Sequence, residues 1–205
     1  MTVDHHAIGK YAKSKGSGFE HEIANKFSEW YGTPESFYRV PASGSLHWAK
    51  SMNVSGDVIC LPEISFPYLI ECKRYEGWTI ENLIANNSHF PSWVAQAVRE
   101  GMANNQIPLL IYRRNRVKSF VTLPYSKFYE KLPFYLVTNI KYVSEVTHRK
   151  ETIKTITVLL EDLFSVPFDK IVANYSNDWT KNIKKGKTKV TKEPPIKDIV
   201  GRVFD

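Results

Sequence analysis

Gly56-Asp57-Val58-Ile59-Cys60-Leu61, followed after a segment carrying Pro62 and Pro67 by Tyr68-Leu69-Ile70-Glu71-Cys72-Lys73, is the part of the chain that sets the architecture. Both runs are rich in residues that favour extended backbone, and they lie close in sequence, so they predict an antiparallel hairpin. Side chains alternate along a strand, which puts Ile70 and Cys72 on one face and Glu71 and Lys73 on the other. Ile70 and Cys72 suit a core, with Cys72 a small buried hydrophobe rather than a nucleophile. Glu71 and Lys73 require water or a polar site. Asp57, heading the first strand, can stand beside Glu71 across the pair.

Upstream, Phe19, Ile23, Phe27 and Trp30 recur every three or four positions and predict a helix over 19–31, with Ser17 as a cap and Gly32 and Pro34 closing it. Residues 1–17, with Lys10, Lys13 and Lys15, read as a mobile basic arm. Residues 37–42 predict a short strand, and the Ser-, Gly- and Asn-rich residues 43–56 a long loop of the kind that carries function.

Downstream, residues 92–104 have helical spacing and lead into Ile107-Pro108-Leu109-Leu110-Ile111-Tyr112, so apolar that it predicts a buried central strand reached by a helical crossover. A strand over 117–123 and a short helix over 125–132 follow. Residues 134–140, 142–146 and 152–160 alternate like three strands, and residues 181–192 carry six lysines and no acid before Pro194-Pro195. The predicted organisation is a basic arm (1–17), an α/β core with a mixed sheet flanked by helices (18–133), a β-rich extension packed on it (134–180) and a basic flexible tail (181–205).

The 205 residues carry a formal charge of +7, and a sequence pI of about 9.3 favours an anionic partner such as nucleic acid. Cys60 and Cys72 form neither a CxxC pair nor a Cys/His cluster, which argues against a disulfide scaffold or a structural zinc site. No run approaches the ~18–20 apolar residues of a membrane span, and the amino-terminal residues lack a signal peptide's apolar stretch, so the expected location is cytoplasmic, that of the host cell if the chain is viral. His5, His6 and His89 are expected at the surface, and Trp78 and Trp93 in the core or a dimer interface.

Two carboxylates held face to face repel, and a divalent cation relieves that cost. Hard oxygen donors select Mg²⁺, with Mn²⁺ able to substitute. Such an ion lowers the pKa of an attacking water and offsets charge in phosphodiester hydrolysis, while Lys73 beside it suits a positioning or charge-stabilising role. By itself an acid and a lysine on a strand are common edge decoration. Glu20, a third carboxylate in the first turn of the predicted helix, is also explained by the helix dipole alone.

The surroundings add weight. Gly16-Ser17-Gly18-Phe19-Glu20 opening a helix, then Arg39, Ala42-Ser43-Gly44, Gly56-Asp57-Val58-Ile59 and Ile70-Glu71-Cys72-Lys73 resemble, in order and spacing, the archaeal and phage Holliday junction resolvases of the PD-(D/E)XK nuclease superfamily. The likeness extends over roughly the first 115 residues. It implies a restriction-endonuclease-like fold and a homodimeric, Mg²⁺-dependent endonuclease that nicks branched DNA, four-way junctions above all, on paired strands. By that resemblance Glu20, Asp57 and Glu71 are metal ligands, Lys73 is the catalytic lysine, Ser43 acts at the cleaved phosphate from a mobile loop, and Arg39 contacts the DNA backbone. Lys13, Lys15, Lys50 and Arg74 are further expected phosphate contacts. Gln96 falls where related nucleases place a glutamine or lysine near the site. Gly56 stands where the superfamily motif has its proline, and nothing after about residue 133 matches the compact family pattern. A duplex-cutting nuclease with the same site, or a DNA-binding protein without catalysis, are the alternatives.

Overall fold

The structure, a computed structural model, describes residues 5–40, 55–174 and 178–189; of residues 5–15 and 187–189 it describes the backbone alone. The first helix, α1, spans His5–Tyr31. Phe19, Ile23 and Phe27 are fully buried along the predicted stripe, and Trp30 packs against the same core. The helix does not start at Ser17. It runs through the stretch expected to be a mobile arm, because Ala7, Lys10, Ala12, Lys13 and Lys15 are good helix formers and outweigh Gly9, Gly16 and Gly18, each costing about 1 kcal/mol relative to alanine.

Eight strands form one mixed sheet. β1 (Phe37–Arg39) pairs antiparallel with β2 (Val58–Cys60), and β2 with β3 (Tyr68–Arg74), as the hairpin reading requires. After the short helix α2 (Ile80–Ala85), the helix α3 (Phe90–Asn104) makes the predicted crossover to β4 (Ile107–Arg113), which runs parallel to β3 from Tyr68↔Ile107 to Arg74↔Arg113. From Ile107 to Tyr112, β4 is wholly buried, as its composition demands. β5 (Phe120–Pro124) lies antiparallel to β4, and a 3-10 turn at Lys127–Lys131 occupies the predicted short helix.

The chain beyond residue 133 extends the same sheet rather than packing against it as a separate layer. β6 (Tyr135–Val143) is one strand where two were expected, because its period-2 burial passes through Ile140 and Tyr142 without a break. It forms a hairpin with β7 (Arg149–Leu159), and β7 also pairs with β5, giving the order β1-β2-β3-β4-β5-β7-β6. Two short helices follow, α4 (Leu160–Phe164) and α5 (Phe168–Ala173). A 3-10 turn at Trp179–Asn182 then leads into β8 (Ile183–Lys189), which pairs with the start of β7. Part of the expected flexible tail is thus a strand. Its lysines suit a sheet edge, where they oppose edge-to-edge association.

Candidate active site

Near the carboxyl end of β3, alternation turns Glu71 and Lys73 toward α3, where Gln96 meets both. Lys73 Nζ donates to Glu71 Oε1 at 2.6 Å and to Gln96 Oε1 at 3.0 Å, while Gln96 Nε2 donates to Glu71 Oε1 at 2.7 Å. Gln96 Nε2 also reaches Glu100 Oε1 at 3.2 Å, one turn farther along the helix. Glu71 is only 2% exposed. Burial raises its carboxyl well above the usual range, repulsion from Asp57 adds to the rise, and the Lys73 ammonium opposes it.

Asp57 is placed by the backbone on either side of it. Gly56 has φ +87°, and a Cβ there would stand 2.7 Å from the Ile70 carbonyl oxygen. Asp57 N donates to that carbonyl at 2.8 Å, and Asp57 Oδ2 accepts the Cys72 N–H at 2.7 Å. The aspartate is therefore held across the hairpin by two bonds to β3. Burial raises its pKa too; the Cys72 N–H opposes the rise, and the Glu20 charge increases it. Cys72 itself is buried, with its thiol pushed far up by desolvation, in keeping with a core role.

The other expected residues fall into three groups. Glu20 lies near enough for its charge to bear on Asp57, but its Oε2 is taken by Arg39 Nε at 2.6 Å. Arg39, expected at DNA backbone, is thus paired within the protein. Arg74, half-buried at the end of β3, donates to Asn115 Oδ1 at 3.2 Å. Lys13 and Lys15 lie on α1, where only backbone is described, and Ser43 and Lys50 lie outside the described residues. Trp78 and Trp93 are core residues, whereas His89 is half-buried and stacks on Trp93 instead of lying free at the surface. Glu100 was not anticipated. Its one sequence signal is its spacing of four from Gln96, which puts both on one helical face.

Among the described residues, no group of three or more His, Cys, Asp or Glu side chains is gathered closely enough to enclose a metal. Mg²⁺ does not require one, since it typically takes one or two carboxylates and completes its octahedron with waters and phosphate oxygens. Asp57 Oδ1 and Glu71 Oε2 are the oxygens left over from the bonds above. A buried Glu71 and a half-buried Asp57, both raised by burial, with Asp57 raising Glu71 and Glu20 raising Asp57, are what a small hard cation would stabilise, so the donor set fits.

Residues 11–173 match the model of a family described as "Phage putative PDDEXK endonuclease". Protein D14 of Escherichia phage T5 is 28% identical over 116 residues, covering 55% of this chain and 70% of its own. No solved structure matches.

Proposed function

The chain belongs to the phage PDDEXK endonuclease family, and on that premise we propose that it is a Mg²⁺-dependent endodeoxyribonuclease that resolves four-way junctions or other branched DNA by paired nicks, working as a homodimer. The observation that carries the chemistry is the half-buried Asp57 beside the buried Glu71, with Lys73 bonded to Glu71. PD-(D/E)XK nucleases generally use divalent metal ions.

In this reading Asp57, Glu71 and Glu20 would hold the cation. When bound, the ion supplies Lewis acidity for the attacking water and charge neutralisation at the phosphate. Lys73 orients the water and stabilises charge growing on the phosphoryl oxygens, with its ammonium aimed by Glu71 and Gln96. Glu100 acts through Gln96, accepting one amide hydrogen and so fixing which end of the amide faces Lys73. Ser43 and Lys50, outside the described residues, would act at the phosphate, as the resemblance implies. Lys13, Lys15 and Arg74 neutralise neighbouring phosphates, a shape-directed and sequence-blind contribution, and Arg39, its Nε on Glu20, would offer DNA only its terminal nitrogens.

The test offers the purified protein a four-way junction, a flap, a nicked duplex and a linear duplex, with Mg²⁺ and with EDTA. Symmetric Mg²⁺-dependent nicks at the junction are expected. Equal cutting of linear duplex would overturn the branched substrate and leave a duplex nuclease; binding without cleavage on any DNA would overturn the enzyme.

A further inference from the structure

β3 does not end its pairing at Arg74. Tyr75 N donates to Arg113 O at 3.2 Å, continuing the ladder with β4, so Glu71, Lys73 and Tyr75 follow one another along the same face at a spacing of two. Opposite them α3 runs the other way. Glu71 and Lys73 meet Gln96, and Tyr75 meets Trp93, one helical turn earlier, and His89 at the helix start. The catalytic row therefore terminates in an aromatic group.

That group has an unusual combination of exposure and restraint. Tyr75 is 44% exposed, yet its ring is held by its neighbours. His89 meets it edge to face at 4.4 Å between centroids, and His89 is itself stacked on the buried Trp93 at 17°. The ring also lies so close to Gly77 that a Cβ there would stand 2.7 Å from Tyr75 Cε1. Ser88 Oγ in turn donates to the Gly77 carbonyl at 3.2 Å, tying this turn to the segment before α3. An aromatic ring held in place while open to solvent has already lost the conformational freedom that binding would otherwise cost it.

We propose that Tyr75, braced by His89, Trp93 and Gly77, is a stacking platform for an unpaired base of the DNA, one or two nucleotides from the cleaved phosphate. This rests on the endonuclease reading above and names what the same site recognises. The spacing fits: two residues of strand cover about 7 Å, and successive phosphates on one DNA strand lie ~3.4 Å apart along the helix axis. In intact duplex every base is already stacked on its neighbours and gains nothing from the ring. At a branch point, a flap or a bulge an unstacked base gains a partner, so the platform favours branched over linear DNA without reading sequence. Base–aromatic stacking of this kind contributes about 1–3 kcal/mol per base, or roughly 5- to 150-fold in affinity.

The test measures binding of fluorescent junction and flap DNA with Ca²⁺ in place of Mg²⁺, moving a single abasic nucleotide through the positions around the cut. The wild-type protein should lose at least about 5-fold in affinity when the abasic nucleotide occupies one particular position within two of the cut. Tyr75→Ala should bind intact DNA as weakly as the wild type binds that abasic DNA, with no further loss when both changes are combined. Tyr75→Phe should behave as wild type, and Gly77→Ala, which displaces the ring, should fall between. A wild-type protein indifferent to every abasic position overturns the platform without recourse to any variant. So does a Tyr75→Ala protein that loses affinity equally for intact and abasic DNA. Failure of the endonuclease reading is separable, since it appears as absence of Mg²⁺-dependent cleavage by the wild type on all substrates.

Discussion

Gly56 occupies the position that gives the superfamily motif its proline, and its backbone explains the exchange. At φ +87° a proline, locked near −65°, cannot fit, and any Cβ meets the Ile70 carbonyl. Restoring the motif by Gly56→Pro should therefore do harm. It should lower thermal stability by about 2 kcal/mol or more and cut cleavage at least 10-fold by shifting Asp57, as read by melting and by nicking rate. A Gly56→Pro protein with wild-type melting and rate would show that the turn is not required. Asp57 itself carries a second prediction. Its folded pKa is raised, so ionisation above that value opposes folding of the metal-free protein. Asp57→Asn keeps an oxygen for the Cys72 N–H and removes the charge. Cleavage should vanish while the metal-free melting temperature at pH 8 rises by several degrees, and the rise produced by Mg²⁺ in the wild type should disappear. Unchanged Mg²⁺-dependent cleavage by Asp57→Asn would remove Asp57 from the catalytic assignment. These residues were legible because strand alternation and hairpin proximity are local rules. Glu100 and Tyr75 were not, because what joins them to the site is the register of α3 against β3, and no local pattern records how a helix lies on a sheet.

Among the elements, α1 is fastened to β4 by a bidentate polar clamp, besides its bonds to β1 through Glu20 and Ser28. Arg113 of β4 donates through both terminal nitrogens to Glu22, at 2.7 and 2.5 Å, with its guanidinium 4.7 Å from the Phe19 ring centroid. The hydrogen bond and charge of Arg113 hold the Glu22 carboxyl below its ordinary value. A depressed acid stabilises the fold above the unfolded carboxylate range, and that contribution is lost as pH falls through the lowered folded value. With about a third of the side chain exposed, solvent screening limits it to roughly 0.5–1 kcal/mol. Glu22→Gln should therefore melt about 1–4 °C below the wild type at pH 7, with the gap narrowing steadily as the pH is lowered through and below the ordinary carboxylate range. A gap that did not narrow with falling pH would trace the loss to packing and not to the ion pair. Periodicity made most elements readable, but their ends were set by contacts it does not encode. The start of α1 depends on helix propensity carrying past three glycines, Gly9, Gly16 and Gly18. β8 forms because the early part of β7 offers an edge that β5, paired only with Thr155–Leu159, leaves open.

At the scale of the molecule, the sheet is continuous across the boundary expected near residue 133, and this bears on what can fold alone. β5 is covered by β7 through Val121↔Val158 and Leu123↔Ile156, all four buried. A chain cut after Pro133 would lose the buried side chains of Ile140, Ile153, Ile156, Val158, Leu160 and Leu163 and would leave β5 as a bare apolar edge. At about 1.5–3 kcal/mol for each large apolar side chain, that burial is on the order of 10 kcal/mol, comparable to the ~5–15 kcal/mol by which a whole domain is stable. The portion resembling the compact resolvases therefore depends here on strands outside the resemblance, which act as part of the scaffold holding β3 and β4, and with them Glu71 and Lys73, in place. The full chain should unfold in a single cooperative transition followed by circular dichroism or calorimetry. Residues 1–133 alone should give no such transition and should bind a hydrophobic dye such as ANS. A cooperative melt from the shortened chain, with Mg²⁺-dependent cleavage retained, would instead make residues 18–133 an autonomous nuclease unit and reduce β6 and β7 to an attachment.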